Sequence, residues 1–428
     1  MIRPVFWLLC LIHVASCGGS QAAVADPIFT PVEALNPLTG DEPRYLAFQV
    51  FQGGRDPSIP FDRVMVYTPK EKIAAVVDDI VTTIGVTGGA RARLAVMIGP
   101  ISFDHTDEEV RQIIDDGFAI AREKNIAVGF HIDDSMFWSR RTDLISDPDN
   151  IEWTDFARTR STGLLLTWAE PPAKMCFNAP KIRAEVTRRA RDVIGAAIAA
   201  HVATLRAEGK EALFAGVIAG WETHMGQDVV TKDRVGFHAL TNRGFGPNRP
   251  PADISAEIAS IVQEFVGLWT SGLAQAGIDR TRIYTHVAFV SRRQFATLPT
   301  PAGVTYEMVL DHAPSSQRPS VAFDVSSRPG FTTYPTLGLF DQIAEERAGR
   351  GSPAWASSEG TNVIPGEAVG SSQMSMETYL AKSFNHGATL VTLFSWGIGG
   401  PSVKTTNPFR VVTEGPDALA AYVKFLRQ

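Results

Sequence analysis

Two glutamates that follow short apolar segments have the residue type and the setting for acid–base chemistry. Glu222 comes shortly after the apolar run 213–219, and Glu359 comes shortly after the run 354–356. A pair of carboxyl groups, one protonated and one ionised, is the minimum equipment for cleaving a glycosidic bond, because the leaving oxygen needs a proton and the opposite face of the sugar needs a carboxylate. The pair is suited to this chemistry if the fold brings the two side chains together.

The elements that must position this pair are indicated by a regular alternation along the chain. Short apolar, β-branched runs alternate with longer segments of helical period, which is typical of βα units around a parallel sheet. The candidate strands are 45–51, 93–98, 126–132, 213–219, 282–290, 321–325, 354–356 and 389–394. Eight units, with no G-x-G-x-x-G or P-loop after the first strand, predict an α/β fold of the (β/α)8 TIM barrel type.

The segments between these strands carry helix signals. Thr68 and Thr106 are predicted N-caps, the second with a capping box, and further helices are expected over 180–209, 253–277, 336–350 and 417–426. The fifth βα unit, 291–320, is Pro-rich and irregular. The longest insertion, 133–179, follows strand three and contains Trp138, Trp153 and Trp168. In a barrel it lies on the carboxyl-terminal face, where catalytic loops gather.

A glutamate after strand four that faces a glutamate after strand seven resembles clan A of the glycoside hydrolases. The resemblance implies retaining hydrolysis of O-glycosidic bonds, β-linked, with Glu222 as acid/base and Glu359 as nucleophile. It covers most of the mature chain but rests on architecture and two positions. Two departures concern substrate contacts: Trp221 stands where the clan has Asn, and Asp104 and His105 stand where it often has Arg.

This chemistry predicts different environments for the two acids. Glu222, beside Trp221 and away from cations, is expected to have its pKa raised, whereas Glu359 is expected to stay ionised through hydrogen bonds. Tyr334 and His286 are candidates to orient the nucleophile, or else ordinary rim residues. Retention requires carboxyl groups roughly 5 to 5.5 Å apart, and inversion roughly 6.5 to 9.5 Å. The structural alternative is that either glutamate pairs with a cation such as Arg328.

Further side chains near strand ends are candidates for binding a carbohydrate, either an oligosaccharide or a polysaccharide. The resemblance makes Trp396, after strand eight, an aromatic platform under the sugar, with core packing as the alternative. The remaining candidates offer rings or hydrogen-bonding groups: Gln52 and Arg55 after strand one, Asp133, Asp134, Trp138 and Arg140 after strand three, and Trp221 after strand four.

Two other functions remain open. One is a noncatalytic carbohydrate-binding lipoprotein, and the other is a metal-dependent hydrolase that uses His131 and Asp133. Strand one offers Gln49, Gln52 and Arg55 rather than the His-x-His of a metal-hydrolase barrel, so we expect neither a metal nor another cofactor. The 428 residues carry a formal charge of −6 without a basic run, which argues against a nucleic-acid partner.

The amino terminus predicts export. Arg3 precedes an apolar run, and Val14-Ala15-Ser16-Cys17 resembles a lipobox, which implies a signal peptide over 1–16 and lipidation of Cys17. We expect a tether to about residue 40 and one catalytic barrel over 41–428, with membrane contact only through the anchor, at the outer membrane, its periplasmic face or the cell surface. The alternative is an ordinary secretory signal cleaved nearby. Cys176 is left as a lone thiol and is expected to be buried.

Overall fold

Eight parallel strands form the framework of the protein. In the computed structural model, which describes residues 33–52, 65–162, 173–226, 233–300, 302–312, 316–362, 374–396 and 417–428, the strands follow one another in the order β5-β4-β3-β2-β1-β8-β7-β6. Their bounds are β1 Arg44–Phe51, β2 Ala92–Ile101, β3 Ala127–Ile132, β4 Phe214–Ala219, β5 Ile283–Thr285, β6 Gly330–Thr332, β7 Trp355–Gly360 and β8 Ala388–Leu393.

The sheet closes between β5 and β6 through isolated bridges. Parallel bridges join Tyr284 to Arg328 and Val287 to Phe331. The Thr332 amide donates to the Val287 carbonyl over 3.0 Å. The predicted (β/α)8 barrel is therefore confirmed, with its least regular seam in the unit that the sequence indicated as irregular.

Helices separate the strands along the chain. The described helices are α1 Lys70–Ile84, α2 Asp107–Lys124, α3 Thr142–Ile145, α4 Pro180–Arg188, α5 Ala196–Ala207, α6 Phe237–Asn242, α7 Ile254–Gln275, α8 Arg292–Thr297, α9 Tyr306–His312, α10 Leu339–Ala348, α11 Met376–Phe384 and α12 Ala418–Leu426. A π-helical segment, Arg189–Gly195, joins α4 to α5. Within the described residues, no helix combines the length and apolar character needed to cross a lipid bilayer.

The predicted helix starts are confirmed in two cases and corrected in a third. Thr106 caps α2 with the full capping box, and the Asp253 side chain accepts from the Ala256 amide at the start of α7. Thr68 does not cap α1, because the N-cap position is occupied by Pro69, without a side-chain hydrogen bond. The prediction therefore placed the N-cap of α1 one residue too early.

The predicted sixth strand, 321–325, is wrong. Pro319–Ala322 form a 3-10 helix and Val325 is 86% exposed, so this apolar run is not part of the sheet. The true β6 begins at Gly330, where a Cβ atom would lie 2.0 Å from the Thr285 carbonyl oxygen. Close approach of two backbones, rather than an apolar run, therefore defines this strand. The predicted fifth strand, 282–290, also extends beyond the observed β5.

Two apolar layers hold the barrel together. One fills the space between the strands and the helices and contains most of the buried aliphatic residues. The other fills the barrel interior and alternates small and large side chains, namely Tyr45, Ala47, Ala95, Met97, Ala127, Ala215, Ile218, Tyr284, Ala356 and Leu390. The interior is therefore a packed core rather than a pore.

Candidate active site

The inward-facing positions of three strands change from apolar to polar at the carboxyl end of the barrel. Residues two apart on a strand share a face, so Gln49 follows Ala47, and His286 follows Tyr284, on the inner side. His131 continues the inner face of β3 in the same way. All three polar side chains are buried. The sequence therefore builds a polar floor directly above the apolar interior.

Glu222 lies just beyond β4 in a backbone conformation that L-residues rarely adopt. Its φ is 51°, and Gly220, with φ 97°, precedes it. The His224 Nδ1–H donates to the Glu222 carbonyl oxygen over 2.6 Å, and the Thr332 hydroxyl donates to Glu222 Oε1 over 2.8 Å. A left-handed non-glycine residue costs about 1–3 kcal/mol and persists where its surroundings enforce it. The strain is therefore located at the residue singled out for acid–base chemistry.

Glu359 lies on β7, and the Tyr334 hydroxyl donates to its Oε1 over 2.8 Å. Burial raises the pKa of Glu359 well above its usual value, and the charge of Glu222 raises it further. The Tyr334 hydrogen bond and the Trp221 side chain act in the opposite direction. The fold therefore brings the two glutamates within electrostatic reach of each other, as the sequence required.

Two details of the sequence interpretation change. Glu359 was expected to stay ionised through hydrogen bonds, but burial and Glu222 raise its pKa. His286 was expected to orient Glu359, but its Nε2 contacts the Thr332 hydroxyl at 2.8 Å, and Thr332 contacts Glu222. Tyr334 does contact Glu359 as proposed. The two acids therefore have separate supporting groups, both from the β6 end.

A chain of polar side chains connects the barrel floor to Glu222. His131 Nε2 lies 3.1 Å from the Gly220 carbonyl oxygen and 3.0 Å from His286 Nδ1, and His131 Nδ1 lies 3.3 Å from Gln49 Oε1. The Trp221 ring stacks on His131, with centroids 4.4 Å apart and planes 9° apart. Burial lowers the pKa of His131 to about 3 and that of His286 well below its usual value, so both imidazoles are neutral.

An apolar wall lies at the same end of the barrel, beside Trp221. Phe51 and Phe394 lie at the ends of β1 and β8, with ring centroids 6.1 and 6.4 Å from that of Trp221. Met65, Met136 and Phe137 complete this cluster. Sequence reasoning named Trp221 as a binding residue but missed the other members, although aromatic residues at strand ends were the available signal. Rings of this kind suit the apolar faces of a sugar.

Buried titratable side chains in the insertion after β3 fix the adjacent loops. Asp133 Oδ1 accepts from the amides of residues 135, 136 and 137, and the Trp221 amide donates to Asp134 Oδ1 over 3.4 Å. Burial, then Asp134, raise the pKa of Asp133 to about 8. Lys174, whose pKa burial lowers to about 8, donates to the Ser135 hydroxyl over 3.2 Å. The two predicted aspartates therefore border the site while they hold its loops.

Some buried polar atoms at this end have no hydrogen-bond partner within the described part of the chain. They are Asp133 Oδ2, His224 Nε2 and Glu359 Oε2, from the ends of β3, β4 and β7. Buried polar atoms are normally paired, and an unpaired one costs about 1–3 kcal/mol. A ligand rich in hydroxyl groups can both donate to and accept from such atoms.

Four of the predicted binding residues lie elsewhere or are already engaged. Trp396 packs edge-on against Phe48 at 5.2 Å and donates to Asp79 of α1 over 2.8 Å, so it belongs to the outer core and is not placed as a platform. Trp138 is fully buried, and its indole N–H donates to the Ala173 carbonyl.

The other two are polar. The Arg140 guanidinium pairs with Glu109 at 3.1 Å, on the side of α2, and Gln52 Oε1 accepts from the Thr68 amide over 2.9 Å. Each side chain therefore binds another group of the protein rather than pointing into the mouth of the barrel. Arg55 and Cys17 lie outside the described residues. Cys176 is buried, as expected.

Two alternatives from the sequence lose support. Both ring nitrogens of His131 contact protein atoms, and the described residues contain no cluster of three or more His, Cys, Asp or Glu side chains arranged to hold a metal ion. The His131 and Asp133 metal site therefore has no geometric basis. Arg328 pairs with Glu42 at 2.5 Å and is thus not the partner of either catalytic candidate.

Comparison with known proteins finds structures of similar fold but no similar sequence. No protein family model and no curated protein matches the sequence. Among solved structures, the catalytic domain of β-amylase from Paenibacillus polymyxa matches 91% of this chain and 98% of its own, with 9% identity and a TM-score of 0.52.

Two further structures are more distant. A broad-specificity endoglucanase from an uncultured bacterium covers 89% of this chain, with 10% identity and a TM-score of 0.43. The β-galactosidase of Marinomonas ef1 covers 90% of this chain and 59% of its own, with 10% identity and a TM-score of 0.49. Of the three, the β-amylase has a TM-score above 0.5, and at such identity it shows a shared fold. The expected likeness to clan A barrels is thus confirmed at the level of the fold.

Proposed function

We propose that this protein is a glycoside hydrolase that cleaves O-glycosidic bonds of oligo- or polysaccharides. The observation that carries the proposal is the pair formed by Glu222 and Glu359 at the ends of β4 and β7, each held by its own hydroxyl donor. Because the charge of Glu222 raises the pKa of the buried Glu359, the pair favours a single shared proton. One proton and one negative charge are what the reaction requires.

The proposed reaction has two displacements. Glu359, as carboxylate, attacks the anomeric carbon while Glu222 gives its proton to the leaving oxygen, so that the glycosidic bond breaks and a glycosyl ester forms on Glu359. A water molecule then attacks the same carbon, Glu222 takes its proton, and the ester bond breaks. The configuration at the anomeric carbon is retained. The preference for β-linked substrates rests on the resemblance to clan A.

The surroundings of the pair support a carbohydrate ligand. Trp221 and Phe394 supply apolar ring surface, and Asp133 Oδ2 and His224 Nε2 are buried atoms that sugar hydroxyls can satisfy. The structural neighbours named as glycosidases favour the same class of substrate, by analogy of fold.

A panel of aryl glycosides, assayed with the wild type and with Glu222→Gln and Glu359→Gln, tests the proposal. We expect kcat to fall by about 10²–10⁴ for Glu222→Gln, the usual contribution of a general acid, and at least as far for Glu359→Gln. Glu152→Gln is the matched control, since Glu152 is equally buried but binds the amides of His238 and Ala239. It should keep most of the activity.

Three results would contradict parts of this proposal. Near-normal turnover by Glu359→Gln would remove it as nucleophile. An inverted anomer in the first product, observed by proton NMR, would replace double displacement with a single one. Tight binding of oligosaccharides without turnover of any glycoside would favour the noncatalytic binding protein. Azide that restores activity to Glu222→Ala would support the acid/base role.

A further inference from the structure

The chain of side chains that leads to Glu222 begins at a backbone carbonyl, and a carbonyl oxygen can only accept. Gly220 O lies 3.1 Å from His131 Nε2, so this nitrogen carries the hydrogen. The same Nε2 lies 3.0 Å from His286 Nδ1. Because two N–H groups cannot point at each other, His286 Nδ1 must be unprotonated. Since burial keeps the His286 ring neutral, its proton is on Nε2.

The order of donors continues through Thr332. His286 Nε2–H donates to the Thr332 hydroxyl oxygen over 2.8 Å, so the hydroxyl hydrogen is directed at its other neighbour, Glu222 Oε1, at 2.8 Å. At the other end, His131 Nδ1 is bare and faces the Gln49 amide at 3.3 Å. If the side-chain amide of Gln49 is turned so that its nitrogen faces His131 Nδ1, the amide donates to this unprotonated nitrogen. The buried Nε2 of Gln49, which otherwise has no partner, is then paired.

We propose that this relay fixes the catalytic proton of Glu222 on Oε2, with His131, His286 and Thr332 as positioning residues. Oε1 accepts from the Thr332 hydroxyl, and in a protonated carboxyl group the carbonyl oxygen is the better acceptor, so this donor favours the carbonyl at Oε1 and the proton on Oε2. The relay thus selects which oxygen of Glu222 addresses the glycosidic oxygen. This inference rests on the proposed role of Glu222 as acid/base.

Several titratable groups surround Glu222 and must be separated from the relay in any test. Glu359 from β7 is the acidic neighbour, with its pKa raised by burial and by Glu222, and Tyr334 from the β6 end has its pKa raised by burial and by both glutamates. His224 is buried, with its pKa lowered to about 3, and is neutral like the two relay histidines. Glu359 therefore sets the electrostatic background, and the Thr332 hydroxyl can be removed without changing any charge.

The first test reads the proton positions directly and needs no activity. In the full-length protein with 15N-labelled histidine, two-bond proton–nitrogen NMR spectra distinguish Nδ1–H from Nε2–H tautomers. Signals are assigned by their loss in His131→Gln and His286→Gln. We expect both rings to be neutral Nε2–H tautomers that do not titrate between pH 5 and 8. An Nδ1–H tautomer or a charged ring at either position would overturn the relay.

The second test uses the pH profile of kcat/KM, whose upper limb reports the general acid. Thr332→Val removes the donor to ionised Glu222 at nearly constant shape, so the pKa of the upper limb should rise by about one unit or more. Thr332→Ser keeps a hydroxyl group, so the pKa of the upper limb should stay at the wild-type value. A purely structural role would lower kcat without moving the limb.

The two tests separate the possible failures. If no glycoside is turned over by the wild type, the proposed function fails, while the NMR spectra still decide the proton order. If the enzyme is active and the tautomers are as expected, but Thr332→Val leaves the upper limb in place, the relay does not control Glu222 and the inference is overturned.

Discussion

Removing the hydroxyl group of Tyr334 should change the acidity of the proposed nucleophile. The hydroxyl donates to Glu359 Oε1 over 2.8 Å and is buried with it, so it stabilises the ionised carboxylate and lowers its pKa. A hydrogen bond to a charged group contributes about 1.5–3 kcal/mol, and one pKa unit corresponds to about 1.36 kcal/mol. Tyr334→Phe should therefore raise the pKa of Glu359 by about 1–2 units.

The assay is the pH dependence of kcat/KM on the best aryl glycoside. The nucleophile must be ionised, so its pKa appears as the acidic limb, which should move to higher pH by the same amount. Well below that limb the activity should fall about 10- to 100-fold, because each unit of displacement is a factor of ten. Above the limb the loss should be small.

Tyr379→Phe provides a matched control at a neighbouring position. Tyr379 is also fully buried, but its hydroxyl contacts Thr333 and Ser357 rather than Glu359. The acidic limb should stay in place in this variant. If Tyr334→Phe leaves the limb unchanged, or if both variants displace it equally, then Tyr334 does not tune the carboxylate and the argument from the hydrogen bond is wrong.

Three further predictions concern stability and location. Trp396→Phe removes the hydrogen bond to Asp79 and should cost about 1–3 kcal/mol in urea unfolding with KM unchanged, whereas a large rise in KM would restore the platform role. Burial raises the pKa of Glu152 to about 7, so the stabilisation that its protonated carboxyl group gives to the folded state is present below about pH 4 and lost as the pH rises through 7. Glu152→Gln should therefore reduce the wild-type loss of unfolding free energy between pH 5 and 8 by on the order of 3 kcal/mol. An unchanged loss in the variant would refute this. Cys17→Ser should move the protein from the membrane to the soluble fraction, and a wild type already soluble would favour an ordinary secretory signal.

The part of the fold that was predictable from the sequence is the part that depends on short-range patterns. Apolar runs of strand length, with helices between them, identified seven of the eight strands and the barrel, because burial on both faces leaves a continuous apolar signal. β6 was missed because Gly330–Thr332 contains no such run and is defined by the approach of β5. The capping box at Thr106 was readable because all its partners lie within four residues.

The candidate site divides in the same way. The two glutamates could be chosen because their positions at strand ends follow from the alternation, and a parallel barrel gathers strand ends at one face. Trp396 shows the limit of this reasoning, since it lies only two residues after Phe394 of the apolar cluster, yet its ring packs outward against α1. The direction of a side chain just beyond a strand depends on local backbone geometry that the pattern does not encode.

By itself, the sequence determined the type of fold, the order of its units and the pair of acids that the barrel mouth would contain. Only the tertiary structure decided which groups support each acid: Thr332 and the histidine relay for Glu222, and Tyr334 for Glu359. The physical reason is that each of these hydrogen bonds joins residues from different strands, and their distances and burial arise only when the sheet closes. The protonation of the pair likewise follows from burial and mutual charge, which a linear sequence does not contain.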